Sequence, residues 1–299
     1  MKKQLLVSFS GGETSGFMAQ WLKKNKSEEY QMVFVFANTG EENEETLKFV
    51  KRCDEAFNLG VVWVEAVVPL EKGVGTTHKI VDFESASRNG EPFEEMIKKF
   101  GIPNRNFPHC NRETKLRPIH SFMKNELKWN KYFTAIGIRY DEIDRMSPER
   151  KKKRVIYPLI EDKIMTKEKI NFWWSQQDFR LNITGYQGNC KTCWKKSFNN
   201  LYTIAKENPE HFDFFKRMED NYSFITAQDQ NEDYKKDGIK KKINFFRGDK
   251  SVADIFKESK TFTGKVRDTN KEINYQINFL DLTDESESCD IFSNCGDFD

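Results

Sequence analysis

Apolar positions in the first seventy residues follow two rhythms. Gln4 to Phe9, Met32 to Ala37 and Val61 to Val68 are short, near-continuous apolar runs, the pattern of strands covered on both faces. Between them, Thr14 to Lys24 carries Phe17, Met18, Trp21 and Leu22 at helical spacing, and Glu44 to Phe57 carries Leu47, Val50, Cys53 and Phe57. Strands alternating with helices predict βαβ units and an α/β fold on a parallel sheet. A helix from Ile119 to Trp129 is expected after Pro118, then a fourth strand from Tyr132 to Ile138. Beyond Arg150 the rhythm loosens. Trp173, Trp174 and Phe179 fall in a mixed helical stretch, and helices are expected over Asn199 to Glu207 and Ser251 to Lys257. The expected division is a sheet domain over residues 1–150, a mainly helical extension over 151–282 and a flexible acidic tail over 283–299.

Composition narrows the class. The chain has 299 residues, 37% hydrophobic and 32% charged, enough for a substantial core. No apolar run approaches the roughly 20 residues of a bilayer span. Met1-Lys2-Lys3 imitates the basic start of a signal peptide, but the apolar stretch after it is short and ends in a glycine turn. A cytoplasmic protein without a membrane partner is expected. The net charge of +2 selects no partner. Lys151-Lys152-Lys153-Arg154 and Lys240-Lys241-Lys242 are basic clusters, while the end of the chain carries only acidic charge. These read as solvated faces, or as a nucleic-acid groove that the tail can shield.

The first strand runs into Ser10-Gly11-Gly12-Glu13-Thr14-Ser15 and then into a helix. Glycines let backbone amides approach an anion, and the helix start supplies unpaired amides and a positive dipole end. Ser10, Thr14 and Ser15 add hydroxyls. No Gly-Lys-Ser/Thr closes the loop, so it is not a Walker motif. Six cysteines in a chain of this size point to metal or redox chemistry. Cys190-x-x-Cys193 has ligand spacing that thiol redox pairs share. With Cys110 it could hold a [4Fe–4S] cluster with one open iron; with His109 added, a zinc ion. Cys53 lies on an apolar helix face and is expected in the core. Cys289 and Cys295 lie in the tail. His78, His120 and His211 show no metal spacing.

The hexapeptide resembles the PP-loop of ATP pyrophosphatases, usually Ser-Gly-Gly-x-Asp-Ser; here Thr14 stands at the acidic position. Ala37-Asn38-Thr39-Gly40 with Glu45-Thr46 resembles an element of the phosphoadenosine-phosphosulfate (PAPS) reductase-like branch. Ala86-Ser87-Arg88-Asn89-Gly90-Glu91-Pro92-Phe93, the segment from His109 to Pro118, Ile136-Gly137-Ile138-Arg139, Gly188 to Cys193 and Phe246-Arg247 are similar to phage and bacterial members of that branch. The resemblance covers about residues 5 to 255 in order. It implies a doubly wound, adenine nucleotide alpha hydrolase-like sheet and an ATP site with Mg²⁺. The reaction it implies releases pyrophosphate and adenylates an acceptor, which could be a nucleic acid. It places Ser10, Gly11, Gly12, Thr14, Ser15, Asn38, Thr39, Gly40, Arg88 and Arg247 at the nucleotide and gives Lys115, Arg117 and Arg139 catalytic roles. The alternatives are thiol-dependent reduction of PAPS, for which only Cys295-Gly296 matches the reductase tail, and a non-catalytic nucleotide-sensing or nucleic-acid-binding module.

Overall fold

Strands β1 (Lys3–Ser8), β2 (Tyr30–Asn38), β3 (Val61–Val67), β4 (Thr77–Val81), β5 (Phe133–Ala135) and β6 (Val155–Ile156) form one sheet in the order β4-β3-β2-β1-β5-β6. These positions come from a computed structural model, which describes residues 2–225 and 242–272. All neighbouring strands are parallel except β4, which pairs antiparallel with β3. The polar sequence Thr77-His78-Lys79-Ile80-Val81 explains why this edge strand escapes an apolar-run reading: most of its residues face solvent.

Alternate residues of the central strands feed two cores. Leu5, Val7, Phe34 and Phe36 pack against α1 (Glu13–Asn25) and α2 (Glu44–Phe57). Leu6, Val35 and Val64 pack on the other face against Ile119, Phe122 and Met123 of α4 (Arg117–Asn125). Helices therefore cover both faces, as near-continuous apolar strands require. Cys53 is buried in the first core.

The helix expected to start after Pro118 begins earlier. A π-helical turn over Arg112–Leu116 runs directly into α4, with Pro118 in its first turn. The wide turn accommodates a residue that lacks an N–H and whose ring crowds the preceding carbonyls. Helix α3 (Glu91–Phe100) was also hidden, being short and opened by Gly90 and Pro92.

The sheet continues past residue 150, because β6 pairs with β5. Short α5 (Pro158–Glu161) and α6 (Lys167–Ser175) follow, and Ile170 and Trp174 join the same core as Phe17. A separate aromatic core joins α3 to α7 (Phe198–Glu207), α8 (Asp213–Tyr222) and α9 (Val252–Ser259) through Phe93, Phe214, Phe215, Phe245 and Ile255. Most of the 221–242 segment, Lys240 and Lys241, Cys289, Cys295 and the whole 283–299 tail lie outside the described residues. Among the described residues, no helix is long and apolar enough to cross a membrane.

Candidate functional site

Strand order reverses at β1, which lies between β2 and β5. In open α/β sheets, ligands bind at the carboxyl edge where this happens. The loops after β1 and β5 meet there and line one cleft through Ser10, Gly11, Gly12, Thr14, Ser15, Gly137 and Arg139. Two glycines permit the approach. Gly11 has φ +83°, and a Cβ on it would lie 2.7 Å from Thr46 Cγ2. A Cβ on Gly137 would lie 3.3 Å from the Cα of Ser15.

Gly12 caps α1 from an extended conformation, and no side chain caps the helix. The Ser10 hydroxyl donates to Ser15 Oγ at 3.0 Å, and Ser15 Oγ donates to the Gly12 carbonyl at 2.9 Å. Both hydroxyls thus brace the loop. The first amides of α1 have no acceptor within the helix, and the positive dipole end faces the cleft. Thr46 lines the same cleft, is only 3% exposed, and its buried Oγ1 has no hydrogen-bond partner among the described residues. A buried unsatisfied hydroxyl beside unpaired amides suits an oxygen-rich anion.

Charge comes from both halves of the chain. Arg139, 5% exposed, contacts Asp141 at 3.2 Å and Glu142 at 3.4 Å, and its Nη1 donates to Thr14 Oγ1 at 3.3 Å. Burial works against the Glu142 charge, but Arg139 and Arg145 hold its carboxyl below the usual range. Glu13, the acidic residue of the loop, is turned onto Arg180, which grips it with Nε at 2.9 Å and Nη2 at 3.0 Å. Burial raises the Glu13 pKa against the pull of Arg180 and Lys167. Lys167, the first residue of α6, lines the cleft and donates to Asn270 Oδ1 at 2.7 Å. The Asn270 carbonyl accepts from Arg180 at 2.6 Å, so the segment around Asn270 braces both cations.

Removing Arg180 leaves the Glu13 carboxylate buried without its partner. Arg180→Ala is expected to cost about 3–5 kcal/mol of stability, while Glu13→Gln with Arg180 kept costs less, since Arg180 is the more exposed partner. Urea unfolding of both variants checks this; equal, small losses would contradict the asymmetry.

Other residues named from the sequence are held elsewhere. Asn38 Nδ2 donates to Glu65 Oε1 at 2.6 Å and to the Ser87 carbonyl at 2.8 Å. Thr39 donates to Glu42 through its amide and hydroxyl, each at 2.9 Å. Gly40, at φ +80°, has no room for a Cβ, which would lie 2.8 Å from the Gly90 nitrogen. These three residues form a buried joint and do not line the cleft. Arg88 latches onto Glu44 at 2.8 Å and the Ala86 and Phe83 carbonyls. Lys115 Nζ lies 3.7 Å from Glu42, and Arg117 pairs with the fully buried Glu113 at 3.1 Å. Arg247 donates to the Lys196 carbonyl at 2.8 Å and lies over the Phe198 ring. None of these four cations lines the cleft.

Among the described residues, no three His, Cys, Asp or Glu side chains are grouped to hold a metal ion. His109 donates through Nε2 to the Gly101 carbonyl at 3.2 Å, and burial pushes its pKa down to about 4. Cys110 packs on the aromatic core of the extension. The Cys190–Cys193 turn is closed by the Cys193 amide on the Cys190 carbonyl at 3.3 Å. It docks on the β2 loop, with Cys190 Sγ 3.8 Å from Thr39 Oγ1 and the Lys191 amide on the Glu41 carbonyl at 2.9 Å.

The chain is 30% identical over 205 residues to the uncharacterized nin region protein ORF290 of Escherichia phage lambda, covering 68% of this chain and 69% of that protein. The chain belongs to the family of that phage protein. Two uncharacterized proteins of Methanocaldococcus jannaschii are each 26% identical to it, over 151 and 148 residues. Those matches span about half of this chain but only 26% and 29% of the archaeal proteins. No family model matches. In this family member, Lys167 and Asn270 line the cleft and Arg180 holds Glu13 of its loop, three residues that sequence reasoning missed. No motif marks them, and only the packing of α6 and the 268–272 segment brings them to the phosphate loop.

Proposed function

We propose that the protein is a PP-loop enzyme that cleaves ATP to AMP and pyrophosphate to activate an acceptor, on a doubly wound sheet of the adenine nucleotide alpha hydrolase type. One observation carries this reading: the uncapped start of α1, at the reversal of strand order, opens on a cleft also lined by Thr46, whose buried hydroxyl has no partner among the described residues. Amides of the Ser10–Ser15 loop and that hydroxyl would hold the β- and γ-phosphates. Arg139 and Lys167, set in the cleft wall, would stabilise the charge that develops as the acceptor attacks the α-phosphorus.

Mg²⁺ would neutralise phosphate charge, and it would arrive on the nucleotide, since the described residues offer no group of three acidic ligands. Among the described residues no three His, Cys, Asp or Glu side chains are grouped to hold a metal ion, so no step is routed through an iron–sulfur cluster or zinc at Cys110, Cys190, Cys193 and His109.

The test is product analysis. ATP with Mg²⁺ is expected to yield AMP and pyrophosphate, and PAPS with a dithiol reductant is expected to yield no sulfite. Sulfite without pyrophosphate would move the protein to sulfonucleotide reduction. Tight ATP binding with no product at all, across a panel of amide and nucleic-acid acceptors, would make it a nucleotide-sensing module.

A further inference from the structure

Two features away from the cleft coincide. The first is the amino-terminal edge of the sheet. Parallel strands start side by side, so the residues that open them share one edge. Lys3 opens β1, Lys131 comes just before β5, and Lys151-Lys152-Lys153-Arg154 come just before β6. Helix α1 runs back to the same edge, carries Lys23 and Lys24 in its last turn and is followed by Lys26 at its cap. Some of these charges are answered: Lys3 and Lys26 meet Glu29, Lys26 meets Asp162, and Lys152 and Lys153 meet Glu149. Exposed Lys24, Lys131, Lys151 and Lys163 have no carboxylate partner among the described residues.

The second is a groove between α1 and α6. Trp21, Phe172 and Trp173 line it, and Lys24, Lys163 and Lys169 stand around it. Glu168 is the one carboxylate among its lining residues. Phe172 is 54% exposed and neighbouring Ile164 51%, so apolar surface stands open beside these lysines. Lysines beside the exposed Phe172 ring and the half-buried Trp21 ring match a chain that alternates phosphates with flat bases.

We propose that this surface binds single-stranded nucleic acid, with bases against Phe172 and Trp21 and phosphates on Lys24, Lys163 and the basic sheet edge. A duplex would use only the lysines, because its bases are stacked within it. An acidic peptide without aromatic side chains would leave the Phe172 ring unused. The inference does not rest on the nucleotide reading, since the sheet edge lies opposite the Ser10 loop.

Fluorescence anisotropy with a labelled mixed-sequence oligonucleotide, single-stranded and duplex, tests it across a salt series. The single strand should bind more tightly. Phe172→Ala should weaken it by about tenfold without changing the salt slope. The double variant Lys24→Glu/Lys163→Glu should weaken both forms and flatten the slope by roughly one unit or more. Gly12→Val should bind like the parent. All these positions are exposed or glycine, so unchanged melting curves confirm that the variants fold. Equal affinity for the two forms, insensitivity to Phe172→Ala, loss of binding in Gly12→Val, or binding only to anionic vesicles would each overturn the proposal.

Discussion

Replacing Gly12 by valine should abolish ATP binding and leave the fold intact. Gly12 has φ −96° and ψ 162°, a conformation open to any residue. A Cβ there would meet only Ser10 Oγ, at 3.9 Å. The added side chain therefore costs the protein little, but it would enter the space where phosphate oxygens meet the first amides of α1. Losing two or three charge-assisted hydrogen bonds at about 1.5–3 kcal/mol each lowers affinity by more than about a hundredfold. Gly11→Ala makes the contrast. Its φ of +83° and the 2.7 Å approach to Thr46 Cγ2 leave no room for a methyl group, so that variant should lose about 1–3 kcal/mol of stability as well. Calorimetric titration with ATP beside a melting curve separates the two effects. Undiminished affinity in Gly12→Val would remove the phosphate loop from the nucleotide site.

The contrast between these glycines shows what a sequence can display. Ser10-Gly11-Gly12 follows an apolar run and precedes a helical rhythm, so both the turn and its place at a strand end are local facts. The same holds for α2, whose expected span of Glu44 to Phe57 matches the structure. Partners are another matter. Arg88, Lys115, Arg117 and Arg247 look like phosphate ligands as isolated cations, yet each spends its charge on Glu44, Glu42, Glu113 or a carbonyl and an aromatic ring. Lys167 reaches the cleft, and Arg180 reaches Glu13 of its loop, because Trp174 is anchored on the Glu13 carbonyl at 2.8 Å, drawing α6 onto α1. Nothing local to Lys167 or Arg180 encodes that long-range contact.

Glu41 gives the protein an alkaline weakness. It follows the Thr39-Gly40 joint, is 1% exposed, and its Oε2 has no partner among the described residues. Burial pushes its carboxyl up to about 8; Lys191 and Arg217 oppose the rise, and Glu42 and Glu91 add to it. In the unfolded chain the group ionises near 4.5. Between those two values the folded state holds a proton that the unfolded state has released. Stability must then fall as pH rises through the window, level off above the folded pKa and be unaffected below the unfolded one. Glu41→Gln fixes the neutral form, so any constant cost of burying the amide shifts its curve without tilting it. Relative to the parent, the variant should gain about 3 kcal/mol between pH 5 and pH 8. Urea unfolding at pH 5, 6.5 and 8 measures the difference, and parallel curves would show that Glu41 does not titrate in this range. The seam most affected should be the one Glu41 closes, where its carbonyl accepts the Lys191 amide. Hydrogen exchange at Lys191 should therefore speed up with pH in the parent beyond the intrinsic rate, and not in the variant.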